Sequence, residues 1–383
     1  MTPIAFFGRA YQLSIDTQDG QHLVVRSLVS PGETPLRVSF DIHTYMMPTA
    51  YWDANFTIWN LNRAGSSLGG ALPVGQGSAD SLGYNQRITA GDAVAFSAGY
   101  DNAGTGQQSF SADNSFLWAG SVFQPVWTRV NVVDFKLTLR CLYGLMQESL
   151  NLIDFSMYGD SPTYYDTLGR LCTECDVAMD AAANAQERLQ KLQYMRGFRE
   201  LAKPGDIVRR IMNDSSLFAW VTPPAPNSKG QKSTLHVRSF DVAPTKPDIA
   251  YQPPNLPPSP FTLTSNVKPT LLGVPDQMST SGGPSIGVTQ NGVIFRVLLD
   301  PEVRIGMVVQ LVAGTVINKY QFNPFGGYPA LPSRNALYMV AGVRHVGDSR
   351  GTGDDWYTEI TGVLWQFFDA YMKMLTPSSK TPS

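Results

Sequence analysis

Gly91-Asp92-Ala93-Val94-Ala95-Phe96-Ser97-Ala98-Gly99 and Gly306-Met307-Val308-Val309-Gln310-Leu311-Val312-Ala313-Gly314 are one phrase written twice. Each copy opens on Gly, places Val at +3, a bulky apolar residue at +5, Ala at +7 and closes on Gly at +8. A second echo follows each copy in the same order: Phe116-Leu117-Trp118-Ala119-Gly120, then Tyr338-Met339-Val340-Ala341-Gly342. A stretch patterned for β-structure comes after each echo. Two copies of one β-rich unit suggest an architectural part rather than an enzyme built around a single pocket.

The flanking sequence supports strands. Val133, Phe135, Leu137, Leu139 and Cys141 alternate with Asp134, Lys136, Thr138 and Arg140, the period of two of a half-buried antiparallel strand. Further strands are expected over 22–29, 36–46, 54–61, 92–100 and 115–130. Residues 62–86, rich in Gly and Ser, read as a long loop. Around the second copy, strands are expected over Ile294–Leu299, Val303–Ile317, Leu337–Val346 and Trp356–Phe368, with a hairpin tip over Gly347–Asp355.

The middle of the chain differs. Asp166–Asp180 and Ala181–Ala202 have helical composition, and Pro204-Gly205-Asp206 reads as the stop of one helix and the start of another at Ile207. Leu217–Val221 and Thr234–Val242 read as a short β-pair. Residues 243–260 hold seven prolines (Pro244, Pro247, Pro253, Pro254, Pro257, Pro258 and Pro260), which implies a stiff, extended strap.

Charged residues are 16% of the 383, against about 25% in ordinary soluble domains. So few charges fit a surface partly covered by other subunits. The net charge of −2 gives no electrostatic case for binding nucleic acid. Met1–Gly20 lacks a long apolar run, so no signal peptide is expected. No stretch is long and apolar enough for a membrane helix. Three cysteines make no disulfide framework, and the chain is expected to fold in host cytoplasm.

Taken in order, these segments resemble the baseplate hub proteins of contractile-tailed phages, relatives of the hub portion of type VI secretion spike proteins. Arg37-Val38-Ser39-Phe40 and Ala54–Leu61, ending in Asn60-Leu61, are similar to that family's opening strands. Gly91–Tyr100 resembles the next strand, with Val94, Gly99 and Tyr100 at its marked positions, and Leu117–Val122, with Gly120, the strand after it. Leu298-Leu299-Asp300-Pro301 with Arg304-Ile305-Gly306 resembles a C-terminal element. Tyr338–Asp348, with Gly342, His345, Gly347 and Asp348, followed by Trp356-Tyr357-Thr358, resembles the family's ending. With Gly314, these are the structural signature. The 62–86 loop and the helix carrying Cys172 and Cys175 have no counterpart in the resemblance.

The resemblance implies a mainly β chain with an α/β insert: a first tube-like antiparallel β-barrel over 1–148, a small α/β domain over 149–242, the strap over 243–260 and a second barrel over 261–375; the Ser, Thr, Pro and Lys of 376–383 read as a disordered tail. It further implies a homotrimer whose six barrels form a pseudo-sixfold ring. Such a ring is a symmetry adaptor joining the sixfold tail tube to the threefold central spike in a virion baseplate, with the tape-measure protein and the wedge proteins as further partners. Rival readings are a cell-wall hydrolase of the same tail, a carbohydrate-binding tail module, and the hub of a phage-like bacterial injection system.

No catalytic, cofactor or metal residue is assigned. Cys172-Thr173-Glu174-Cys175 lacks the thioredoxin-like context of a redox motif and the second ligand pair of a zinc site; Cys141 and a histidine could complete one only in space. His22, His43, His236 and His345 form no close pair, and no nucleophile elbow accompanies them. His345 and Asp348 are read as hydrogen-bonding the hairpin tip, with Trp356 as a core anchor. Asp348, Asp354 and Asp355 suit a turn better than a calcium loop. Glu148, Glu174, Glu187 and Glu200 form no recognisable acid and nucleophile pair.

Overall fold

The computed structural model describes residues 8–27, 35–46, 52–61, 88–101, 110–131, 134–143, 153–157, 162–194, 198–224, 232–239, 246–254, 262–280, 290–312, 337–351 and 355–364. The loop 62–86, Gly314, Asp354 and the tail 376–383 lie outside them.

Seven strands come from the N-terminal part: β1 (Arg9–Asp16), β2 (His22–Arg26), β3 (Val38–Tyr45), β4 (Trp52–Trp59), β5 (Ala93–Tyr100), β6 (Phe116–Arg129) and β7 (Phe135–Tyr143). Alternation decides their faces. In β7, Leu137, Leu139 and Cys141 are buried while Arg140 is exposed, and in β4 Trp52, Ala54, Phe56 and Ile58 point into the core. Burying each large apolar side chain contributes roughly 1.5–3 kcal/mol.

A mixed α/β insert follows: β8 (Ile153–Met157), α1 (Tyr164–Glu174), β9 (Ala178–Ala181), α2 (Ala183–Lys191), β10 (Phe198–Ala202), α3 (Pro204–Ser215), β11 (Phe218–Thr222) and β12 (Thr234–Arg238). The expected β-pair is present as β11 and β12. The two long helices are not. Ala178–Ala181 instead joins β12 in parallel, and Phe198–Ala202 pairs with β8. Strand partners override the helical composition of these residues. Pro204 therefore ends no helix; it opens α3 at the first helical position, where a missing N–H costs nothing.

The C-terminal part adds β13 (Ile249–Tyr251), β14 (Val267–Lys268), β15 (Leu271–Thr280), β16 (Gln290–Leu298), β17 (Val308–Leu311), β18 (Leu337–Asp348) and β19 (Trp356–Leu364). The expected strap 243–260 thus contains a strand. Ile249, Ala250 and Tyr251 are wholly buried and bond to β17 and β14: an apolar triplet between prolines still completes a sheet.

All fourteen strands of the two parts form one sheet. The N-terminal arm runs β3-β4-β7-β6-β5-β1-β2 and the C-terminal arm β15-β16-β19-β18-β17-β13-β14. Strand for strand these are the same order. The ladders agree in register as well. Val94 lies opposite Gly120 and Val309 opposite Tyr338. Gly91 N–H donates to the Val122 carbonyl and Gly306 N–H to the Val340 carbonyl, both 2.8–2.9 Å. Both glycines have positive φ, +96° and +83°, which is why the phrase begins on Gly. The bulge also repeats: β6 skips Phe123 against β7, and β18 skips Ala341 against β19. Val122 therefore matches Val340, and Gly120 matches Tyr338. The second sequence echo, which aligned Gly120 with Gly342, is out of structural register. One difference separates the arms: β1 pairs antiparallel with β2 and β5, whereas β13 pairs parallel with β14 and β17.

Candidate functional site

The two arms meet where β18 outruns β17. Its first residues pair with β17, and Gly342–Asp348 then pair antiparallel with Tyr45–Ser39 of β3. Several signature residues gather at the far end of this joint. A Cβ on Gly347 would fall 2.3 Å from Phe40 and 2.6 Å from Trp356, so glycine lets these two rings meet edge to face at 5.1 Å. The Trp356 indole N–H donates to the Gly99 carbonyl at 3.2 Å, and the Tyr100 hydroxyl donates to the Trp356 carbonyl at 3.3 Å. Arg9 lies over the Trp356 ring and donates to the carbonyls of Asp348 and Gly351.

Asp348 takes a two-pronged bond from Arg37, Nε to Oδ1 at 3.1 Å and Nη2 to Oδ2 at 2.6 Å, and accepts the Arg350 N–H. Burial works to raise its pKa, but the bonds from Arg37 and Arg350 and the charges of Arg37 and Arg9 hold it below the ordinary carboxylate range. Midway along the joint Arg344 forks onto Asp41, 2.8 Å on both prongs. There too burial opposes, and Arg344 and His43 prevail, keeping Asp41 well below the usual range. Asp348 therefore does help fix the hairpin, as expected. His345 does not. It points into the core, where its Nδ1 sits 2.9 Å from Thr358 Oγ1.

That hydroxyl accepts the N–H of Asp300 at 2.9 Å. The Asp300 carboxylate is bonded by Tyr251 and Lys268, both at 2.8 Å. Pro301 gives its carbonyl to Arg304, whose other guanidinium nitrogen reaches the Phe116 carbonyl of β6 at 2.9 Å. Gly306 carries the insert: Trp220 of β11 stands 2.3 Å from where its Cβ would be. Where β4 ends beside the start of β7, Asn60, left-handed at φ 56°, exchanges bonds with Phe135 and donates to Asp134, while Leu61 packs on the core edge. Gly91 packs on Gln18, Gly120 on Trp118, and Gly342 follows the β18 bulge. Val94 is core.

No group of three metal-binding side chains exists among the described residues. Cys141 and Cys172 are buried and Cys175 half-buried, and they form no disulfide with one another. Burial first, and Cys175 second, push the Cys172 thiol up to about 12, so it is protonated at neutral pH. Glu174 is paired with Arg170 and Glu187 with Lys191; Glu148 and the Glu200 side chain lie outside the described residues. Sequence reading missed Arg9, Asp41 and the role of Arg344. Their polar places in alternating strands were the only signal, since the Arg344–Asp41 partners stand 303 residues apart.

No family model matches the chain, and no curated protein matches it by sequence. Solved structures do. The chain is similar to the 43 kDa tail protein of prophage MuSo2 from Shewanella oneidensis, with TM-score 0.50, 9% identity, and coverage of 92% of this chain and 98% of that one. The fold is that of a prophage tail protein. Also similar are a tail protein from Neisseria meningitidis, at TM-score 0.48, 11% identity and coverage of 93% and 97%, and an E. coli component of the type VI secretion system, at TM-score 0.47, 7% identity and coverage of 88% and 75%. The prophage match runs through nearly the whole of both chains, so the insert and both sheet arms belong to the shared fold.

Proposed function

We propose that this chain is a structural protein of a phage tail: the hub of the baseplate, a homotrimeric symmetry adaptor between the sixfold tube and the threefold spike. One observation supports this above the rest. The two arms repeat strand order, opening glycine and bulge, yet differ in how β13 and β1 pair. Three chains with two such arms present six similar but unequal units, which can face a sixfold partner on one side and a threefold partner on the other. Closed cyclic symmetry makes the ring end instead of growing into a fibre. The partition into arms over 1–148 and 261–375 with an insert over 149–242 follows, β13 joining the second arm from the strap. The signature residues act as the joint and hinge points of this ring rather than as an active site, and the role is non-enzymatic. The spike, the tube, the tape-measure protein and the wedge proteins are its partners, and the virion baseplate is its location.

The test is native mass spectrometry of the chain alone and with its neighbouring tail proteins. Three chains of 41.9 kDa give about 126 kDa for the expected trimer. A monomer under every condition overturns the reading.

A further inference from the structure

The hub reading leaves Cys172-Thr173-Glu174-Cys175 without a role. The chain holds three cysteines in 383 residues, and two of them stand three apart. At the end of α1 that spacing puts both on one face, a turn apart. The Cys175 N–H still donates to the Leu171 carbonyl at 3.0 Å, so the helical path runs on to Cys175. Three helical steps separate Cα atoms by about 5 Å, inside the span of about 4.4–6.8 Å that a disulfide bridges. The two thiols also feel each other: after burial, Cys175 is the second cause that pushes the Cys172 thiol up.

The pair differs in access. Cys172 is 2% exposed, while Cys175 is half-buried and packs on the core edge at the helix end. Asp176 then turns left-handed at φ 54°, and the Val177 N–H returns to the Cys172 carbonyl at 2.8 Å. This turn delivers the chain to β9, which starts at Ala178. A bond between the sulfurs would tie the last turn of α1 to the residue that opens this connection.

The place in the helix decides what kind of pair this is. A pair that hands its disulfide on is helped by a stabilised thiolate, which a helix N-terminus supplies through its positive end. Cys172 and Cys175 stand at the C-terminal, negative end, and burial keeps Cys172 protonated. Both features work against thiolate, and so favour a bond that stays closed over one that is passed on.

We propose that Cys172 and Cys175 are a disulfide-forming lock in the insert, open while the chain assembles in a reducing cytoplasm and closed by small-molecule disulfides once the particle is outside. The setting rests on the tail reading above; the chemistry rests on the pair. The Cys175 thiolate attacks one sulfur of the small disulfide. A mixed S–S bond forms, the small disulfide's own bond breaks, and one small thiol leaves with the proton that Cys175 gave up. The Cys172 sulfur then attacks the Cys175 sulfur. The mixed bond breaks, and a second small thiol leaves with the Cys172 proton. Two protein thiols are oxidised and one small disulfide is reduced to two thiols.

The test treats the folded full-length protein with glutathione disulfide and counts the remaining thiols by alkylation after denaturation. One thiol of the three is expected to remain, that of Cys141, which β7 buries. Cleavage after Glu174, between the two cysteines, should leave fragments that part only on reduction. Cys172→Ser should stop at a mixed disulfide on Cys175, and Cys175→Ser should keep its two remaining thiols. The count on the wild-type chain decides the matter even where a variant folds poorly. The Val177 amide should exchange several-fold more slowly in the oxidised protein than in the reduced one. Three thiols remaining, or a wild-type chain that ends as the mixed disulfide, overturns the pair as a disulfide site. Closure with Val177 exchange unchanged overturns the lock. Either failure leaves the ring reading standing, and a chain that closes the bond yet stays monomeric under every condition overturns the ring reading alone.

Discussion

His345 shows what a single residue in this sheet contributes. It is 2% exposed, held beside Thr358. Burial, and then the charge of Arg304, lowers its pKa to about 3. In the unfolded chain the ring titrates near 6.5. Between those values the unfolded state binds one more proton than the folded state, so His345 makes stability rise with pH across the window and fall as pH drops through it. Replacing His345 with Gln keeps a polar group beside Thr358 and removes the titration. In urea unfolding followed from pH 6 to pH 4, the variant's stability should fall less steeply than wild type by about 1.4 kcal/mol per pH unit, one proton's worth. Equal slopes would mean that His345 is charged inside the fold. Sequence alone placed this residue on the right strand, two residues before Gly347. It could not say which face the ring takes, because the β18 bulge at Ala341 resets the alternation that sequence reading relies on.

Elements were legible in proportion to how locally they are determined. The strands of the N-terminal arm after β1 could be read from alternation, and the opening glycines from the phrase itself. β1 was not anticipated, and the insert misled, since Ala178–Ala181 and Phe198–Ala202 take their strand conformation from partners distant in sequence. α1 is the contrary case, fixed at its start by local chemistry. Thr163 accepts the Asp166 N–H through its side chain at 3.1 Å, and the Asp166 carboxylate accepts the Thr163 N–H at 3.3 Å. This reciprocal cap satisfies donors that the first turn leaves free. Thr163→Ala should cost about 1 kcal/mol, read as a lower urea midpoint with an unchanged slope, and Thr163→Ser should restore most of it. No loss in the alanine variant would mean that tertiary packing, not the cap, sets the helix start.

At the scale of the molecule, the arms are joined by β18 on β3 and by two forks across that joint, Arg344 on Asp41 and Arg37 on Asp348. No pattern in a single sequence links these partners, which is why the repeat was legible and the joint was not. Both aspartates are held below the ordinary carboxylate range. Their contribution is therefore fully present above about pH 4, where unfolded carboxylates are ionised, and is lost as pH falls through the lower folded values. His43, raised chiefly by its bond to Asp41, acts in the opposite sense: its share is present below about 6.5 and fades as pH rises through its folded value. Arg344 and Asp41 are each about a third exposed, so solvent screening keeps the fork's worth near 1 kcal/mol. Arg344→Ala should thus lower the melting temperature by a few degrees at pH 7, and the gap from wild type should shrink below pH 4, because protonating Asp41 removes from wild type what the variant already lacks. Should the gap persist at pH 3, Arg344 would be acting through its packing along β3 rather than through its charge, and the joint between the arms would be a matter of backbone ladder and the Phe40–Trp356 contact alone.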